Sequence, residues 1–84
     1  MSKQKRPEPL VQIGDLVEIP EADYCYGLGV LRMRITAMNV TPQDVSRLEW
    51  VRLVGVPIFS HDQEGPEREA LVRVAALRQH PPKR

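Results

Sequence analysis

Between Leu31 and Ala37 the chain alternates without a break: Leu31, Met33, Ile35 and Ala37 are apolar, while Arg32, Arg34 and Thr36 are polar. A period of two puts the apolar set on one face of a β-strand and the polar set on the other, which no amphipathic helix reproduces. The expected strand runs from Val30 to Met38, and since one strand cannot bury its apolar face alone, it commits the chain to a sheet. Other segments supply partners. Val17 and Ile19 share a face after a turn at Gly14-Asp15, and Pro20 ends the pairing. Trp50 to Ile58 is rich in Val and Leu, with Gly55 and Pro57 marking a bulge or an edge. Glu69 to Val74 reads as a fourth strand, and Ala75 to Arg78 as a tight turn into a short final one.

The connections are punctuated by turn residues. Glu21 to Gly29 contains Gly27 and Gly29 and reads as a shaped loop. Thr41-Pro42-Gln43-Asp44 has a helix-start pattern, with Thr41 as N-cap, Pro42 at the first position and a short helical turn expected through Arg47. Ser60 to Pro66 is a polar connection. The expected fold is all-β, a small five-stranded barrel over residues 10–78 with a short helical turn, since closure removes exposed strand edges. Residues 1–9 and 79–84, each with two prolines among charges, are expected as a disordered basic N-terminal tail and an extended C-terminal one.

Only 5% of the 84 residues are aromatic, so the core must be built from Val, Leu, Ile and Met. A chain of this length buries roughly 60% of the surface its unfolded form exposes, and association is one route to additional stability. Cys25 is the single cysteine, which excludes an internal disulfide. The longest apolar runs fall far short of the ~18–20 residues of a membrane span, and the polar start has no signal-peptide pattern. A cytoplasmic location is expected.

Net charge is +1, but it is unevenly placed. Residues 1–9 hold three basic residues and one acidic, and residues 79–84 hold two basic; the stretch between holds seven basic and ten acidic residues. A barrel that binds duplex nucleic acid through its own surface normally shows the opposite distribution.

The segment GDLVEIP (Gly14 to Pro20) resembles the first strand of SH3-like barrels of the KOW and Tudor type. VRVAALR (Val72 to Arg78) resembles their last strand, helical turn and closing strand. VAAL at Val74 to Leu77 is also similar to the closing segment of the plasmid-borne type II dihydrofolate reductases, SH3-like barrels that form tetramers around a pore. The preceding residues here are Ala70, Leu71 and Val72, where that family presents Gln-Ile-Tyr to its substrate. They offer no side-chain hydrogen bond to a pterin or a nicotinamide, so the likeness implies shared architecture and not folate reduction. The whole chain is also similar to a group of small actinobacterial proteins with a DYCYG…LVRVAALR pattern, a resemblance that implies no activity.

No catalytic set is evident. Ser60, His61 and Asp62 are adjacent in sequence and point apart on an extended loop, and Cys25 lies in a mildly acidic neighbourhood that does not favour a thiolate. His61, Asp62 and Glu64 lack a second ligand cluster, so no metal or other cofactor is expected. The best candidate site is the loop Tyr24-Cys25-Tyr26 with Trp50, or with Phe59, flanked by Arg32 and Arg34, since ring faces attract cations and stack on planar groups. The competing reading has these tyrosines capping one end of an aromatic-poor core. Arg32, Arg34, Arg52 and Arg73 form a strand-borne stripe that either faces phosphate or an acidic peptide, or pairs with Glu18, Glu49 and Glu69.

Three function classes follow. The leading one is a non-enzymatic binding module that engages a protein partner or a second copy of itself. The second is a nucleic-acid accessory protein, with Lys3, Lys5, Arg6, Lys83 and Arg84 tethering and Arg52 and Arg73 among the phosphate contacts. The third is an oligomeric enzyme with a site on a symmetry axis.

Overall fold

The computed structural model describes residues 9–25 and 27–83, so Lys3, Lys5, Arg6, Tyr26 and Arg84, with the tail expected before residue 9, lie outside the described residues. Five antiparallel strands form one sheet: β1 (Leu16–Ile19), β2 (Tyr24–Cys25), β3 (Leu31–Met38), β4 (Trp50–Pro57) and β5 (Arg68–Arg73). The spatial order is β1-β3-β4-β5-β2, and helix α1 (Val74–Gln79) follows the last strand.

The all-β class is as expected, but the sheet is not closed into a barrel. β1 and β2 are its two edges, and among the described residues no ladder joins them. Both edges come from one stretch of chain. Pro20 cannot donate to a ladder, and the 3₁₀ turn Glu21–Asp23 carries the backbone from one edge to the other before it can pair with itself.

The alternation in β3 governs the core. Leu31, Met33 and Ile35 are buried in one cluster with Val17 and Ile19 of β1 and Val51 and Leu53 of β4. Ala70 and Val72 of β5 extend the same layer, while Val11, Val45, Val74, Ala76 and Leu77 close over it. Ala37, expected on this face, is instead exposed. The β3–β4 ladder passes from Ile35 opposite Gly55 to Ala37 opposite Val54, so Thr36 is an extra residue that turns the strand over. Met38 then packs on the core in place of Ala37. Gly55 belongs to this crossing: a Cβ there would overlap the Arg34 carbonyl oxygen and lie 2.6 Å from Met33 Cγ. It therefore marks close backbone approach in the central strand, and the edge reading of β4 is wrong.

The C-terminal third also differs from expectation. β5 passes straight into α1, and the chain then returns to β1, where Leu16 and Lys83 exchange both backbone hydrogen bonds at 2.9 Å. The expected final strand is thus a single bridge, and the fifth strand of the sheet is Tyr24–Cys25. The helical turn after Thr41 is present as the 3₁₀ segment Pro42–Arg47, with Val45 buried. Thr41 does not cap it through the backbone; its hydroxyl donates to Asp44 Oδ2 at 2.7 Å. Among the described residues no helix is long and apolar enough to cross a membrane.

Candidate binding groove

At one end of the sheet β3 begins, β4 ends and β5 begins, and residues 27–30 pass beside them. Tyr24, opposite Val72 on β2, turns its ring inward and is only 7% exposed. Its hydroxyl donates to the Gly29 carbonyl at 2.8 Å, while the Gly29 amide donates to Glu21 Oε1 at 3.0 Å. Two side chains thus hold one residue of the strap formed by residues 27–30 from opposite sides. Gly29 has φ +74°, a conformation that glycine adopts without a Cβ clash. The same ring lies against Gly27, where a Cβ would come within 2.9 Å of Tyr24 Cε2 and of its hydroxyl oxygen.

The facing wall is built at the end of β4. Ile58 pairs with Glu64, the Phe59 amide donates to the Gln63 carbonyl at 2.6 Å, and the Gly65 amide donates to the Pro57 carbonyl at 2.9 Å. The turn between them places His61 and Asp62 at φ 64° and 59°. This hairpin lays Phe59 on Gly65, where a Cβ would lie 2.6 Å from the ring.

Between the two rings lies a groove of about 270 Å³, floored by Leu31, Pro57 and Ile58 and walled by Tyr24, Leu28, Val30, Phe59 and Pro66. Leu28, Val30 and Phe59 are 88%, 67% and 54% exposed, three of the five large exposed hydrophobic side chains among the described residues. Apolar side chains gathered on one concavity differ from the scattered exposure normal for a protein surface. The rim is charged. Arg32 Nε lies 2.9 Å from Glu18 Oε2, an ion pair without an aligned hydrogen bond to Nε. Glu67 accepts from the Thr36 hydroxyl at 2.7 Å, and Arg68 completes the rim.

The site expected from the sequence is only partly assembled here. Tyr24 and Arg32 both line the groove. Tyr24 is also the core cap of the competing reading, since it is buried in the hydrophobic cluster. Trp50 does not line it: it opens β4 whereas Pro57 closes it, roughly 23 Å away at the rise of a strand. There Trp50 packs under the Arg73 guanidinium, 4.4 Å from the ring centroid, and Arg73 pairs with Asp23 at 3.4 Å and Glu49 at 3.8 Å. Arg34 stands on the outer face of the sheet, where Nη1 donates to the Gly14 carbonyl at 3.4 Å.

The arginine stripe is largely neutralised. Arg32 meets Glu18, Arg52 meets Glu69 at 3.5 Å, and Arg73 meets Glu49, the three acids that the strand pattern offers as partners. Ser60, His61 and Asp62 are all exposed on the hairpin turn, and Cys25 is a free, half-buried thiol opposite Leu71. Among the described residues no three His, Cys, Asp or Glu side chains converge on a metal-sized point.

Leu28 and Val30 are groove residues outside the expected site. The signal in the sequence is a leucine held between two glycines, an apolar side chain inside a loop. Comparison of the chain with protein-family models, curated proteins and solved structures found no match.

Proposed function

We propose that this protein is a non-catalytic binding module whose groove between Tyr24 and Phe59 receives an apolar side chain from a protein partner. The observation that carries the proposal is the gathering of Leu28, Val30 and Phe59, all exposed, around one preformed concavity. Leaving such side chains in water is unfavourable by roughly 25 cal/mol per Å², so covering them drives association. The walls are preorganised by the two hydrogen bonds at Gly29 and by the ring contacts on Gly27 and Gly65, which lowers the ordering cost of binding.

The helix after the last strand and the return of Lys83 to β1 support reading the sheet as an open form of the SH3-like barrel. Nucleic-acid binding through the stripe is disfavoured because Arg52 and Arg73 already have carboxylate partners.

Titration with the N-acetyl amides of leucine and phenylalanine, followed by backbone amide shifts, tests the site. Gly29, Val30, Ile58 and Gly65 are expected to move together and saturably. Shifts confined to the Trp50 end of β4, or none, would refute the groove as the binding site.

A further inference from the structure

We propose that the occupant of the groove is a second copy of this chain, with Leu28 of each protomer seated in the groove of the other across a twofold axis. The inference rests on the reading of the groove as a binding site and names what fills it.

The surface has a knob beside a hole. Leu28 is the most exposed large hydrophobic residue among those described, at 88%, and it stands at the lip of a concavity of about 270 Å³. A twofold contact brings the same patch of both protomers together, so each must offer both halves of the fit. A protruding leucine next to an apolar hollow meets that requirement.

Charge points the same way. The strap and rim carry Arg32 and Arg68 against Glu18, Glu21 and Glu67, two positive and three negative groups. Interspersed positive and negative groups can pair with their opposites across a twofold axis, whereas a strongly acidic or basic partner meets repulsion from one sign. Size sets the expected strength. Seating one leucine side chain from each protomer is expected to give a dimer that dissociates in the micromolar range.

The experiment is sedimentation or light scattering on the full chain from micromolar to millimolar concentration, with two variants. The wild type is expected to rise from 9.6 kDa towards twice that mass. Leu28→Asp, at a position that contributes little to the core, is expected to remain monomeric with an unchanged circular dichroism spectrum. Ile13→Asp, at an exposed apolar residue away from the groove, is expected to dimerise like the wild type. A wild type that stays monomeric throughout overturns the inference, as does a dimer insensitive to Leu28→Asp or abolished by Ile13→Asp. If the wild type is monomeric while the amino-acid amides still shift the groove, the binding-site reading stands and the self-association falls. If the amides shift nothing as well, both fall.

Discussion

The phenol of Tyr24 donates to the carbonyl of Gly29 at 2.8 Å, so a residue counted in the hydrophobic core also fastens the strap beside the groove. Core and candidate site therefore share one side chain, and the two roles separate cleanly by substitution. Tyr24→Phe retains the ring against Gly27 and removes only the hydrogen bond. Stability is expected to fall by about 1 kcal/mol. Hydrogen exchange at the Gly29 and Val30 amides is expected to accelerate more than at Met33 in β3. Uniform acceleration across both segments would mean that the bond does not hold the strap.

Leucine at two positions is expected to behave in opposite ways. Leu53 is fully buried in the central strand, and Leu53→Ala should cost about 2–5 kcal/mol through lost burial and the cavity left behind. Leu28→Ala, which removes an exposed side chain, should change stability by no more than about 0.5 kcal/mol. Urea denaturation of both variants supplies the comparison.

The hairpin beside Phe59 carries removable strain. His61 and Asp62 are consecutive residues in the left-handed region, which His and Asp tolerate better than most side chains but which still disfavours any Cβ. Asp62→Gly is expected to stabilise the fold by about 0.5–1 kcal/mol, raising Tm by roughly 2–8 °C in a domain of this size. Calorimetry that shows a lower Tm would locate a stabilising role in the Asp62 side chain instead.

Asp15 is the one buried charged side chain among the described residues, at 2% exposure, and its carboxylate accepts from the Gln12 amide at 3.0 Å. The same turn joins β1 to β3, since the Ile35 amide donates to the Asp15 carbonyl at 2.8 Å. Asp15→Ala is expected to destabilise the protein by about 1–3 kcal/mol because the Gln12 amide loses its acceptor. Asp15→Asn keeps an acceptor oxygen and should lose less. Equal losses in a thermal melt would point to the charge rather than the hydrogen bond.

The strands that could be read in advance were those with room for a pattern. β3 spans eight residues and shows its alternation over most of them, and the acids that pair with Arg32, Arg52 and Arg73 were readable because cross-strand pairing needs only a sheet and nearby opposite charges. Two residues cannot display a period, which hides β2 in a loop-like sequence; Tyr24 and Cys25 form a strand because β5 offers them an unpaired edge. The bulge at Thr36 was equally hidden, because it depends on what stands opposite, and it moves Ala37 out and Met38 in.

For the candidate site the division is sharper. Residue types alone marked Tyr24 and Arg32 as groove-forming chemistry, yet they also marked Trp50, which the length of β4 carries to the far end of the sheet. Local sequence determined that this chain makes a small antiparallel sheet with an aliphatic core, since burial period and turn chemistry act over a few neighbouring residues. Only the tertiary structure decided that the sheet stays open between β1 and β2, and that Leu28, Val30 and Phe59 meet around one groove. Those outcomes depend on register and chain return across distant residues, which no local pattern encodes.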